Sequence, residues 1–438
     1  MKRFQNKPII TENNKISRLI DDWGDNLDPI STVLRRCTSE PTIGKQSGHA
    51  LEGSEGIWLF DRRFKIESRQ ISVDTYFGKV ADSIMDTRQK IACTGVIMGL
   101  GLVMVARKVW ARRARSKPSG AWKEVGSVSK LHVYPIKSCK GIELQEGRVT
   151  SIGMENIPKD GYMTLGDRRM VIYKKDSLEM VSARTYHQML QITVTAASED
   201  EVFLRYFLER LKVKIPQGKA DRKIKLWTEQ VPLIDAGDEA AEWLQEHVFD
   251  GKPNFRLGFW PGVEVRRDIS HLTLKYEPVY PFMRSEFTGA FSDLGSFLLL
   301  NESSVEDLNA KIAQRSEDVG NQEEPAVVTA TNFRGNIVIR GPSAYEEDDW
   351  NWVRIGDNVV FRNFKPCTRC SLTTVNPETS LKDKDLEPIR TLKTFRLLDE
   401  KKRKLDPSPA MGIYLGLWED GQADDGIIKV GDPVYVCE

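Results

Sequence analysis

The chain has 438 residues, length for two or three domains of ordinary size, and its 40% hydrophobic and 29% charged residues suit folded domains over most of that length. A net charge of +1 provides no whole-protein field for nucleic acid. Six scattered cysteines make no disulfide framework and fit a reducing compartment, and five histidines without an HxxH, HExxH or HxH pattern argue against a histidine-based zinc or iron site.

Residues 1–90 mix charges of both signs with Gly, Ser, Pro and Thr clusters and show weak periodicity, which predicts a poorly ordered extension. Residues 91–106 are uncharged and lie between Lys90 and Arg107. As a helix this run spans about 24 Å, short of a hydrocarbon core of about 30 Å, so Lys90, Arg107 and Lys108 would have to snorkel. Arg107, Lys108, Arg112, Arg113, Arg115 and Lys117 follow it, which puts that flank and everything after it on the cytosolic side. We read residues 91–117 as a single membrane anchor; a buried core helix is the other reading. Residues 116–120 form a linker.

Short strands follow. Residues 125–134 alternate as a strand does, and 169–173, 192–195 and 223–227 read likewise. Residues 238–249 are helical, with Ala241, Leu244 and Val248 on one apolar face. A second helix starts at Ser303, where Ser303 and Glu306 suggest a capping box. Residues 315–328 are polar and acidic and read as a flexible insertion. Ile355-Gly-Asp-Asn-Val359 and Val430-Gly-Asp-Pro-Val434 share one pattern, apolar-Gly-Asp-x-Val, as two tight corners of a bent or closed sheet would.

Cys367-Thr-Arg-Cys370 has three readings from its residues alone: half a zinc site, a redox pair, or two structural cysteines. No second CxxC or His pair completes a tetrahedron, and residues 371–375 read as a strand rather than the helix of a redox motif. Lys365 and Arg369 would favour a thiolate, a good ligand for a soft or high-valent metal. In Tyr134-Pro-Ile-Lys-Ser-Cys-Lys-Gly141 the Lys137 ammonium, the Ser138 hydroxyl and backbone N–H groups can converge on an anion; a solvated hairpin is the plain alternative. Arg168 in Leu165-Gly-Asp-Arg-Arg, Arg184 in Ser182-Ala-Arg, and Arg334 with Asn336 in Asn332-Phe-Arg-Gly-Asn all sit near strand ends. Together they form the cation set that a phosphorylated cofactor would need.

In this order, these segments resemble the MOSC family of molybdenum-cofactor proteins, and within it the mitochondrial amidoxime-reducing components. The resemblance covers roughly residues 125–437, and Arg369-Cys-Ser-Leu-Thr-Thr-Val375 is its most specific stretch. It implies an α+β, β-rich fold: a MOSC β-barrel (281–438) behind an N-terminal β-rich MOSC subdomain (121–280). It implies a molybdenum–molybdopterin cofactor with Cys370 as the protein thiolate on molybdenum. Lys137, Ser138 and Arg168 would hold the pterin phosphate. Arg184, Arg334, Asn336 and Thr368 match further cofactor-pocket positions, and Cys367 is not expected to bind metal.

The activity implied is reduction of N-hydroxylated compounds, amidoximes and hydroxylamines, to amidines and amines. Electrons would come from NADH through cytochrome b5 reductase and cytochrome b5, at the cytosolic face of the outer mitochondrial membrane. The chain departs from the family in its long segment before the anchor and in the insertion at 315–328. A sulfur-transfer role, or a non-catalytic cofactor carrier, is the alternative; residues 1–124 are too short for a pyridoxal-phosphate desulfurase domain, so that cofactor is not expected.

Overall fold

A computed structural model of the chain describes residues 120–438 except 263, 321–323, 419–425 and 438, together with 101, 103, 104, 107 and 118. The extension read at 1–90 and nearly all of the anchor read at 91–117 lie outside the described residues. Among the described residues no helix is long and apolar enough to cross a membrane.

Among the described residues seven strands close a barrel: β1 (Lys123–Val133), β2 (Phe297–Asn301), β3 (Ile337–Arg340), β4 (Trp352–Ile355), β5 (Val359–Thr368), β6 (Ala410–Leu417) and β7 (Pro433–Cys437). Their order round the barrel is β3-β2-β6-β5-β4-β7-β1, and β1 pairs back onto β3. Neighbours run antiparallel except β2 and β3. Those two are joined by the helix α1 (Glu302–Asp318), because a parallel pair needs a crossover.

Alternation fills the interior: Phe297 and Leu299, Ile337 and Ile339, Val353 and Ile355, Val359 and Phe361, and Ile413 and Leu415 are all buried in one cluster. The two Gly-Asp repeats are corners, as their pattern suggested. Gly356 has φ +60° and Gly431 φ +94°, which favours glycine, and the Gly356 N–H donates to the Pro433 carbonyl at 2.9 Å.

β1 precedes residue 280 in the chain yet belongs to the barrel, so a cut at 280/281 does not separate the strands. The rest of 121–280 is mainly antiparallel sheet. Met170–Lys174, Phe255–Phe259, Glu229–Asp235 and Arg222–Leu226 form one sheet, and Ile192–Ala196, Glu201–Tyr206 and Glu209–Lys214 another. The helix expected at 238–249 is an α-helical turn, Asp238–Trp243, that widens over Leu244–Val248. It buries Ala240, Trp243, Leu244 and Val248.

Four expectations change. Helix α1 is capped by Asn301, whose side chain accepts from the Ser303 N–H; the Ser303–Glu306 box does not form. The stretch 315–328 is not loop at its two ends: α1 runs to Asp318, and Asn309 pins the backbone of buried Val328 from both sides, at 2.8 and 2.9 Å. Residues 371–375 are not a strand. Ser371–Thr374 is a 3-10 turn, because the Thr373 and Thr374 hydroxyls donate to the carbonyls of Cys370 and Ser371, at 3.0 and 2.8 Å, and so compete with an extended ladder. Asn332–Phe333 ends the short helix α2 (Ala330–Phe333) rather than starting a strand; Arg334 follows in the left-handed region, φ +59°.

Barrel closure is tight where β1 crosses β3. A Cβ on Gly126 would press into the Arg340 carbonyl, which is backbone and cannot move aside. Gly126→Ala should therefore cost about 1–3 kcal/mol, seen as a lower thermal midpoint with no loss of β-sheet signal before melting.

Candidate functional site

One cleft, lined by Lys137, Ser138, Arg168, Arg184, Arg334, Asn336 and Cys370, gathers seven of the eight sequence-predicted residues. Each arrives on a turn at the end of a regular element. Lys137 and Ser138 follow β1, where the Lys137 N–H donates to Met170 O at 2.8 Å and Ser138 takes φ +66°. Arg168, at φ +48°, precedes Met170–Lys174. Arg334 lies between α2 and β3. Cys370 stands at the start of the 3-10 turn after β5 and is only partly buried.

Asp167 organises the floor. Its carboxylate, 2% exposed, accepts from the Tyr134 N–H at 2.9 Å and from Asn336 Nδ2 at 3.0 Å, and pairs with Arg168. Asn336 acts as a brace: Nδ2 also reaches the His132 carbonyl at 3.2 Å, and Oδ1 accepts from the Leu298 N–H at 3.2 Å. Arg168 and Arg334 both lie over the Tyr134 ring, 4.9 and 4.3 Å from its centroid. Burial, partly offset by these arginines, pushes the Tyr134 hydroxyl up to about 12. Arg334 donates from Nη1 to the Cys139 carbonyl at 2.7 Å, but its buried Nη2 has no partner among the described residues. Burial, and then the like charge of Arg168, hold Arg334 below the usual arginine range. A buried guanidinium with an unmatched N–H, beside a second guanidinium, is a site that favours an anion.

Three of the cleft residues outside the predicted set, Asp293, Trp227 and Arg369, tie its walls together. Asp293 salt-bridges Lys137 at 2.6 Å and accepts from the Trp227 indole N–H at 2.9 Å. Burial nevertheless moves Lys137 below the usual lysine range, against the pull of Asp293. The third is Arg369, read in the sequence only as a charge near a thiol. It donates from Nη1 to Cys367 Sγ and from Nη2 to the Phe333 carbonyl, both at 2.6 Å. Arg267 holds the Asp293 segment from behind: it donates to Ser292 O at 2.6 Å and pairs with buried Glu229 at 2.8 Å.

Two expectations near the cysteines are corrected. Lys365 does not serve Cys370; its ammonium is buried against Asp406 at 2.5 Å and lies over the Tyr280 ring. Thr368 does not line the cleft, because its hydroxyl donates to the same Asp406 carboxylate at 2.7 Å. Cys367 is buried beside Arg369, whereas Cys370 faces the cleft. Among the described residues no three His, Cys, Asp or Glu side chains are placed to hold a metal ion, so Cys370 offers a single sulfur rather than part of a cage.

Residues 125–250 match the model of the MOSC N-terminal beta barrel domain, and residues 288–435 that of the MOSC domain. The chain belongs to the MOSC family. Within it, the chain is 33% identical over 343 residues to mitochondrial amidoxime-reducing component 1 of Mus musculus, covering 77% of this chain and 90% of that one. The Homo sapiens component 1 is 31% identical, over 77% of this chain and 91% of its own. Component 2 of Bos taurus is 31% identical, over 74% and 87%. β1 falls within the first MOSC match yet closes the barrel of the second.

The cleft fits the molybdenum cofactor that the MOSC resemblance implies. Its donors are one accessible sulfur, hydroxyls, and cations, two of which, Arg334 and Arg369, have a buried N–H without a partner among the described residues; these are partners for a soft metal and a phosphate.

Burial pushes the Cys139 thiol up to about 12, so it stays protonated at ordinary pH. Iodoacetamide at pH 8 should alkylate Cys370 while leaving Cys139 and Cys367 unmodified in the folded protein, as peptide mass spectrometry would show.

Proposed function

We propose that this MOSC protein is a molybdenum-dependent reductase of N-hydroxylated compounds, taking amidoximes to amidines and hydroxylamines to amines. The observation that carries the reading is the juxtaposition in one cleft of the Cys370 sulfur with Lys137, Arg168 and the half-satisfied Arg334. The names of the relatives at about one-third identity support it.

Arg334 and Arg168 would grip the phosphate, since planar guanidinium groups offer paired N–H donors to its oxygens. Lys137 and Ser138 would add a point charge and a hydroxyl from the turn after β1. Asn336 and Asp167 hold these arginines in place without themselves needing to touch the cofactor. Cys370 would be the single protein thiolate on the metal, aimed by the turn that Thr373 and Thr374 lock. Arg369, tied to Cys367 and to the Phe333 carbonyl, ties the strand end before Cys370 to the α2 end before Arg334. When bound, the cofactor would supply the two electrons that, with two protons from solvent, cleave the N–O bond and release the oxygen as water.

We further infer that the electrons come from NADH by way of cytochrome b5 reductase and cytochrome b5. The apolar run at 91–106 and its basic flank would tether the protein to the outer mitochondrial membrane, facing the cytosol. The mitochondrial names of the relatives support the organelle, and sharing one surface would raise the effective concentration of the donors.

Protein made in a cofactor-competent host should carry stoichiometric molybdenum and pterin by elemental and fluorescence analysis; their absence would overturn the reading. Cys370→Ala should lower benzamidoxime turnover more than about a hundredfold, beyond the usual range for loss of an outer-shell metal partner, with an unchanged circular dichroism spectrum. Cys367→Ser should lower it only a few-fold; equal losses would refute the single-ligand assignment. A chain lacking residues 1–117 should stay active and leave the membrane pellet.

A further inference from the structure

The antiparallel strands Arg222–Leu226 and Glu229–Asp235 turn through two residues, Trp227 and Thr228. Trp227 has φ +57°, a conformation that glycine adopts freely at such an apex and that strains a bulky side chain. Burial does not compensate for that strain, because the ring is 37% exposed. Instead the ring forms part of the cleft wall that also holds Cys370. Two groups fix it there. The indole N–H donates to Asp293, which itself is bound to Lys137, and the Arg184 guanidinium lies 4.2 Å from the ring centroid. An aromatic side chain on a strained backbone, held by two other segments at the edge of a reactive cleft, marks a functional position.

Arg184 shows what the ring accepts: a flat, conjugated N–C–N group against its face. An aromatic amidoxime and its amidine product carry the same planar N–C–N frame. We propose that Trp227 is a substrate-binding wall that favours flat, conjugated N-hydroxylated substrates of the aromatic amidoxime type over small non-planar hydroxylamines. This rests on the reductase reading above and adds to it a residue that sets specificity. The expected discrimination is about tenfold, the upper end of what one aromatic–aromatic contact contributes.

The test compares cofactor-loaded full-length wild type with Trp227→Gly and Trp227→Phe. Glycine suits the φ of the apex, so the first variant keeps the fold; phenylalanine keeps a ring and removes only the N–H. Calorimetric titration with benzamidine should show binding weakened about tenfold in Trp227→Gly and within about threefold of wild type in Trp227→Phe. The ratio of kcat/KM for benzamidoxime to that for hydroxylamine should fall about tenfold in Trp227→Gly, through KM. Unchanged benzamidine affinity, or equal loss on both substrates, would overturn the proposal. Trp227-dependent benzamidine binding by a wild type that reduces neither substrate would support the wall while overturning the reductase reading.

Discussion

The carboxylate of Asp167 is the constraint on which the cleft depends. It joins three chain segments that lie far apart in sequence: the end of β1 through the Tyr134 N–H, its own turn through Arg168, and the approach to β3 through Asn336. Two arginines lie over the Tyr134 ring, and the charge of Arg168 opposes that of Arg334. Only a buried negative charge beside them makes that arrangement tolerable. Breaking such a buried pair by removing one partner typically costs about 3–5 kcal/mol. The cleft is thus an electrostatic assembly held by two carboxylates, Asp167 and Asp293, and left with cationic capacity to accept a further anion.

Among the described residues, four of the eleven non-glycine residues with positive φ line this cleft. Ser138, Arg168, Trp227 and Arg334 all have φ between +48° and +66°. A non-glycine residue in that region costs about 1 kcal/mol or more. The surrounding barrel and sheets over-determine these turns. What they gain is convergence: turns at the ends of β1, α2 and two sheet strands aim their side chains into one volume, which regular strands with alternating faces would not.

Much of this was legible in the sequence because the motif residues sit on short turns whose chemistry is local. Lys137, Ser138, Arg168, Arg184, Arg334, Asn336 and Cys370 are recognisable by type and spacing, and they do line one cleft. Thr368 and Lys365 were misread for a geometric reason. The register of β5 against β6 shifts between Asn363 and Lys365 and again between Pro366 and Thr368. Each shift re-aims the side chains that follow, so simple alternation no longer says which face a residue takes. Lys365 and Thr368 consequently meet at Asp406, outside the cleft. Asp293 and Trp227 were invisible for a different reason. Neither lies in a distinctive local pattern, and a hairpin apex calls for glycine rather than tryptophan. The strand expected after Cys370 was lost to two threonine hydroxyls that bond backward along the chain.

The pairing of β1 with both β3 and β7 sets a condition on how the molecule forms. β1 ends at Val133, and its partners begin at Ile337 and Pro433. On the ribosome, the first barrel strand therefore emerges about two hundred residues before β3 and about three hundred before β7, its two neighbours in the barrel. The intervening sheets can pack while the barrel waits. Closure is then a late, long-range event, in which β7 docks on Lys123–Ser127, the end of β1 away from the Lys137–Ser138 turn. A product truncated before α2 would lack Arg334, Asn336 and Cys370 and so have no complete site.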